Sequence, residues 1–395
     1  MRTKDKRNLL LLQDADKKLK MLCKKGLTEK FGSNVADFVK NRLEYELKVV
    51  AKNNHSSYYL LASMLEKEAK RLKHTLYFRG TISSSLIAYT GGFSQVNPME
   101  QEYGGVSLVF ETTREEYDGW IPCLDVQCSM GFVLYAQSYL SREFPEYRLL
   151  SYPLSGDEEV RSIRLYMVKD GELPDTDSFE MRSARIGEYP DFMFMDDFFH
   201  ITLIGSSDMD LVRYNTFYND GQKGFDENAL DTRLIQEIWK YEKKNTDCLK
   251  GFKRLKVNTY EELITVMGLA LSTGAWDGIA KRMIKDGSLS LKDMIGSRDD
   301  LFYYLKKIGF DAKEAYDIME RVRKGKHLTA DQYERMKEHG AEEWVLDLCE
   351  HALYLMPRAH VAQIIRRDAY CLTIPQEFKD SMPNVYQMVT KNAFV

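Results

Sequence analysis

The chain has 395 residues, 44% hydrophobic and 29% charged, enough to bury a sizeable core and to fill two or three domains. No apolar run approaches the roughly 20 residues that span a bilayer, and Leu9–Leu12 is too short for a secretory leader, so a cytoplasmic protein without membrane contact is expected. The net charge of −4 is uneven: residues 1–30 hold ten Lys/Arg against four Asp/Glu, so any nucleic-acid surface must be local. The six cysteines include no Cys-x-x-Cys pair, which suggests reduced thiols rather than a zinc ribbon or a disulfide framework.

In chain order, a helix is predicted over Val35–Val50, capped by Asn34 and burying Phe38, Leu43, Leu47 and Val50, with a second over Tyr58–Leu72. A strand at Thr75–Phe78, a small-residue turn over Arg79–Ser85 and a short apolar helix ending at Gly91-Gly92 follow. The β-branched and aromatic content of Val106–Glu111, Ile121–Cys128, Tyr147–Tyr152, Val160–Val168 and Phe198–Ile204 predicts strands of a mixed sheet. After about Asp208 amphipathic helices dominate, over Ala229–Lys243 and from Tyr260 to Tyr354, with Asn245–Val257 as the most linker-like segment.

The turn Phe78-Arg79-Gly80-Thr81-Ile82-Ser83-Ser84-Ser85 joins a cation, a permissive glycine and four hydroxyls at a strand-to-helix junction. Such a turn can offer backbone amides and Ser/Thr donors to a phosphate, although serine-rich helix caps are common. The stretch Ile121-Pro-Cys-Leu-Asp-Val-Gln-Cys128 places Cys123 and Asp125 on one face of a strand, and Phe199-His-Ile-Thr-Leu-Ile-Gly205 does the same for His200 and Thr202.

Taken with Val96-Asn-Pro-Met99, these segments resemble the palm of the C-family bacterial replicative polymerases, the alpha chain of DNA polymerase III, nearest to the PolC type. The resemblance runs on through Thr259-Tyr-Glu-Glu-Leu-Ile, Gly274-Ala-Trp-Asp-Gly, Ile295-Gly-Ser-Arg-Asp-Asp300, Ile318-Met-Glu-Arg-Val-Arg-Lys-Gly-Lys326, Glu343-Trp344 and Met356-Pro-Arg-Ala-His360, which are similar to the family's fingers. It covers about Leu12 to Phe378. It implies an α+β fold: a mixed-sheet, nucleotidyltransferase-like palm followed by an all-helical fingers domain. The expected units are a basic helical segment (1–55), a palm (56–207), a helical connector (208–256) and fingers (257–395). It also implies a phosphate or nucleotide site at Arg79, Gly80, Thr81, Ser83, Ser84 and Ser85, and a nucleic-acid surface at Arg321, Arg323, Lys324 and Lys326. A solvated helix end would carry the same basic residues, and Trp276 and Trp344 read as core aromatics rather than base-stacking platforms.

The departures from the family pattern shape the functional expectation. The three metal-binding aspartates map to Cys123, Asp125 and Thr202, leaving one carboxylate of three, and a thiol suits Mg²⁺ poorly. Asp196 lies roughly 20 Å along an extended path from Thr202 and offers no substitute, and His200 reads as a core histidine with a backbone partner. Only 76 residues separate Asp125 from Thr202, so a thumb is expected to be reduced or absent. Residues 97–122 hold no cysteine, so the PolC zinc module is not expected either. Together these imply a catalytically inactive PolC-like pseudopolymerase, without cofactor or metal, that binds DNA, a nucleoside triphosphate or a replisome protein, encoded by a mobile element or phage. Two alternatives stand beside it: a divergent nucleotidyltransferase or DNA polymerase using Asp125 with Mg²⁺, and an interaction module without nucleic-acid contact.

Overall fold

A computed structural model of the protein describes residues 12–80, 82–99, 123–153, 162–169, 199–206, 232–245, 255–275 and 290–377, with isolated residues between and after them. The predicted strand at Val106–Glu111, together with Thr81, Asp196, Trp276 and the thumb and zinc-module regions, lies outside the described residues.

Helices α1 (Ala15–Phe31), α2 (Asp37–Lys52) and α3 (Ser56–Arg71) lead into β1 (Tyr77–Arg79), a 3-10 turn at Ile82–Ser84 and the short α4 (Leu86–Thr90). The helix predicted from Val35 starts two residues later. Its N-cap is Ala36 rather than Asn34, with no side-chain cap, and Phe38 is 63% exposed. The buried set is Val39, Leu43, Glu46, Val49 and Val50, with Leu47 half-buried against the same core, so the core-facing stripe departs from the prediction at Phe38.

Strand β2 (Leu124–Cys128) is followed by α5 (Met130–Glu143), β3 (Tyr147–Pro153), β4 (Ser162–Lys169) and β5 (His200–Gly205). Ser129 caps α5 by accepting from the Phe132 amide. The sheet order is β1-β2-β5-β4-β3, with β2 and β5 parallel and the other pairs antiparallel. Strand β1 begins two residues later than predicted, because its pairing with β2 sets Arg79 opposite Asp125. The two sheet faces differ in chemistry. Leu124, Val126 and Cys128 of β2 and Ile201 and Leu203 of β5 pack into one apolar core with α1 to α5. The alternate residues, Cys123, Asp125, His200 and Thr202, therefore share the opposite, polar face.

The second half is helical: α6 (Thr232–Asn245), α7 (Tyr260–Leu271), α8 (Arg298–Lys307), α9 (Ala312–Arg323), α10 (Ala330–Glu338), α11 (Glu343–His351) and α12 (Arg358–Thr373). Thr259 and Thr329 open α7 and α10 with reciprocal capping boxes, and Ser297 and Asp311 cap α8 and α9. These helices enclose a second apolar core that includes Ile238 and Trp239 of α6 and Val257, so the segment expected as a linker ends inside it. Helix α12 belongs to this core yet packs over β1, and Gln363 reaches Ser94 at 3.1 Å, which fastens the helical half to the sheet. The α+β architecture, a mixed sheet followed by a helical half, is as predicted. No described helix is long and apolar enough to cross a membrane.

Candidate active site

The parallel register sets Leu124 beside Ile201 and Asp125 beside Thr202, which brings the preceding residues Cys123 and His200 alongside each other at the same strand ends. A ligand atom from each of Cys123, Asp125 and His200 lies within 4.8 Å of the others. Cys123 and Asp125 are half-buried and His200 is buried. His200, expected as a core histidine, is buried, and Tyr166 of β4, opposite it in register, packs against its ring at 5.5 Å beside the thiol and the carboxylate. Thr202 is 4% exposed, and its hydroxyl has no hydrogen-bond partner among the described residues. A buried polar atom in that state costs free energy unless something else in the site meets it.

The other side of Asp125 faces Arg79. Burial pulls the Arg79 guanidinium below its usual range, and the Asp125 carboxylate partly offsets this. Arg79 Nε donates to His360 Nε2 at 2.5 Å across the contact between α12 and β1. The bond needs His360 neutral, with its proton on Nδ1. Burial, followed by the positive charges of Arg79, Arg298 and Arg367, holds His360 well below the ordinary histidine range. His360 was legible only as part of a motif; its role as the acceptor for Arg79 depends on a contact 281 residues apart in sequence.

The serine turn is built differently from the expected phosphate cradle. Ser83 Oγ donates to Gly80 O at 2.9 Å, and Ser85 Oγ donates to Ile82 O while accepting from the Ala88 amide at 2.7 Å. Ser83, Ser84 and Ser85 are all buried. The next amides, of Leu86 and Ile87, donate to the Glu46 carboxylate at 3.3 and 2.9 Å. The anion at this helix start is therefore the chain's own, and the hydroxyls at 83 and 85 serve as internal struts. Gly80 adopts φ +76°, and a Cβ there would sit 3.8 Å from Asp125 Oδ2, so the turn passes directly over the carboxylate. Arg79 and the Gly80 backbone are what this turn brings next to the polar face.

The basic segment also divides. Arg323, expected on a nucleic-acid surface, is 7% exposed and forms a two-pronged pair with Glu320, one arm at 3.0 Å. Glu320 also holds Lys324 at 2.9 Å, and Arg321 donates to His327 O at 2.6 Å. Arg323 is thus an internal cation, because α9 turns that face toward Arg298 and Glu320 in the core of the helical half. Lys324 and Lys326 are exposed.

The donor set decides which ions the rung can hold. A pair of Mg²⁺ ions about 4 Å apart needs several hard carboxylate oxygens, and this cluster supplies one carboxylate, so it does not fit that arrangement. A thiolate, an imidazole and a carboxylate within mutual reach do fit a single borderline ion that keeps an open position.

Comparison with known proteins bears on the same elements. Residues 17–149 match the family model described as the bacterial DNA polymerase III alpha NTPase domain. The chain is 24% identical to DNA polymerase III PolC-type of Mycoplasma pneumoniae, over 85% of this chain and 30% of that protein. It is 23% identical to the PolC-type protein of Staphylococcus aureus, over 90% of this chain and 32% of that protein. A shorter stretch, 27% of this chain and 8% of the relative, is 41% identical to the PolC-type protein of Caldanaerobacter subterraneus. The chain spans about a third of the length of the curated relatives that it matches over most of its sequence. It is thus related to PolC-type DNA polymerase III across most of its length, at low identity. The expectation of a protein that is not an enzyme is overturned by these relatives, which carry the name of a polymerase.

Proposed function

We propose that the chain is a divergent metal-dependent nucleotidyl-transfer module of the PolC type, which holds a DNA primer end and a nucleoside triphosphate over the polar face of its sheet. Residues 56–207 act as palm, 208–256 as connector and 257–395 as fingers. The observation that carries the reading is the convergence of Cys123, Asp125 and His200 at one end of the neighbouring strands β2 and β5, where the family resemblance places catalytic carboxylates at Cys123, Asp125 and Thr202 and where His200 stands two residues from Thr202. A divalent ion bound there would supply charge stabilisation for phosphoryl transfer. The chain's own residues have separable parts. Asp125 anchors the ion, Cys123 and His200 complete its protein ligands, and Arg79, held by His360, presents a cation beside Asp125 for a triphosphate oxygen. The open Gly80 backbone allows that approach. Lys324 and Lys326 offer salt-sensitive phosphate contacts at the end of α9.

The test is incorporation of labelled nucleotide into a primed template with Mg²⁺, Mn²⁺ or Zn²⁺. Incorporation above background that disappears in Asp125→Asn, with the melting temperature retained, is the expected result. Absence of incorporation with every ion, or incorporation indifferent to Asp125→Asn, overturns the reading.

A further inference from the structure

We infer that Cys123, Asp125 and His200 form a high-affinity site for one borderline transition-metal ion of the Zn²⁺ class, and that this site discriminates against Mg²⁺. The inference concerns the same rung as the proposed nucleotidyl transfer and rests on that reading only for the use made of the ion; its occupancy is a separate matter.

Three observations carry it. First, the donors are chemically mixed. A thiolate is a soft ligand and an imidazole a borderline one, and both favour Zn²⁺, Co²⁺ or Fe²⁺ over Mg²⁺, which demands hard oxygens and gives up its water reluctantly. Second, the charge balances for one ion. A thiolate and a carboxylate offset one divalent cation, and the neutral imidazole adds a donor without charge, whereas a second ion would find no further carboxylate among the described residues of the rung. Third, the Thr202 hydroxyl is buried without a partner among the described residues, on the same rung as Asp125 and the same face as His200. Three protein donors leave one position of a tetrahedral ion for water, the arrangement of an open rather than a closed zinc site. Thr202 is placed to hydrogen-bond that water, which would satisfy the orphaned oxygen and orient the fourth ligand.

The surrounding elements favour a preformed site. Asp125 is held in β2 by its pairing with Arg79 and Thr202, His200 in β5 by its pairing with Tyr166, and Cys123 immediately precedes β2. Tyr166 restrains the His200 ring. Cys123 is not in a disulfide. Arg79 lies opposite Asp125 on β1, on the side away from Thr202.

The experiment uses the full chain, stripped with chelator and titrated with Co²⁺ as a spectroscopic stand-in for Zn²⁺. One Co²⁺ per chain should bind, with a thiolate-to-metal charge-transfer band in the near ultraviolet. Zn²⁺ should displace it stoichiometrically and a large excess of Mg²⁺ should not. Cys123→Ser should abolish the band, His200→Gln should lower the affinity at least about tenfold, and Thr202→Val should lower it by about tenfold without changing the stoichiometry. The apo forms of all three variants should melt within a few degrees of the wild type, which separates ligand loss from misfolding. A band that survives Cys123→Ser, displacement by Mg²⁺, or no Co²⁺ binding at all overturns the inference. A chain that binds Co²⁺ as described but incorporates no nucleotide contradicts the proposed function alone. One that incorporates nucleotide with Mg²⁺ yet binds no Co²⁺ contradicts the metal assignment alone.

Discussion

Replacing Glu46 by glutamine tests how the turn beneath the active face is held. The Glu46 carboxylate is 1% exposed, accepts from the Leu86 and Ile87 amides and pairs with Arg42 Nε at 3.0 Å. Burial outweighs the Arg42 charge and the amide bonds, and lifts the carboxyl from its ordinary 4.5 to about 7. A carboxyl raised in this way binds its proton more tightly in the folded chain than in the unfolded one. Its contribution to stability is therefore fully present below about pH 4.5 and is lost as pH rises through about 7. At about 1.4 kcal/mol per unit the whole window is worth about 3 kcal/mol, of which about 2.5 kcal/mol falls between about pH 5 and about pH 8. Glu46→Gln keeps an oxygen for the amides but carries no titrating group. Relative to wild type, it should gain about 2–3 kcal/mol over that interval. Urea unfolding of both proteins at the two pH values, at equal ionic strength, gives this difference directly and cancels the titration of shared groups. If the glutamine variant instead loses ground as pH rises, the pairing with Arg42 and the amides outweighs burial, and the reasoning fails.

Three further outcomes are expected. His360→Leu should lower nucleotide incorporation, because Arg79 loses its acceptor, and should flatten the pH dependence of stability: a histidine depressed in the fold contributes stability above about pH 6.5 that is lost as pH falls, and parallel melts from about pH 5 to about pH 7 check this. Arg323→Gln should cost about 2 kcal/mol by removing the two-pronged partner of Glu320, which keeps Lys324 and Arg298, whereas the salt dependence of DNA binding stays unchanged; a shallower salt slope at unchanged stability would return Arg323 to the nucleic-acid surface. Gly268→Ala places a Cβ 2.3 Å from Gly296 O, and the resulting overpacking of α7 should exceed the roughly 1 kcal/mol gain in helix propensity, for a net loss of about 1–2 kcal/mol by denaturant unfolding.

The elements that were legible in the sequence are those whose signal is local. The apolar alternation of β2 and β5 and the amphipathic helices between Tyr260 and His351 carry their periodicity within a few residues, and they fall close to where the pattern puts them, whereas α12 lies beyond the predicted run. What escaped depends on register or on distant pairing. The sequence sets Asp125 and Thr202 on neighbouring strands, as the register does, and sets His200 on the face of Thr202, but the closeness of His200 to Cys123 appears only in the parallel register. The serine turn was recognised as a place where amides gather, while the carboxylate that occupies them comes from Glu46, 40 residues earlier and on the buried face of a helix that otherwise reads as apolar. Arg323 and Lys326 look alike in a basic run, but Arg323 is the last residue of α9 and pairs with Glu320 one turn back, whereas Lys326 follows the Gly325 turn beyond the helix and is exposed.

The most direct test of the account is a switch of metal preference. Cys123→Asp replaces the soft donor by a hard one on the same strand position and restores the i, i+2 pair of carboxylates with Asp125. Nucleotide incorporation into a primed template, measured for wild type and Cys123→Asp across Mg²⁺, Mn²⁺ and Zn²⁺, should show the ratio of Mg²⁺-supported to Zn²⁺-supported rate rising at least about tenfold in the variant. An unchanged ratio, with both proteins folded and active, would mean that Cys123 does not touch the working ion and would contradict the assignment of the rung as the active site.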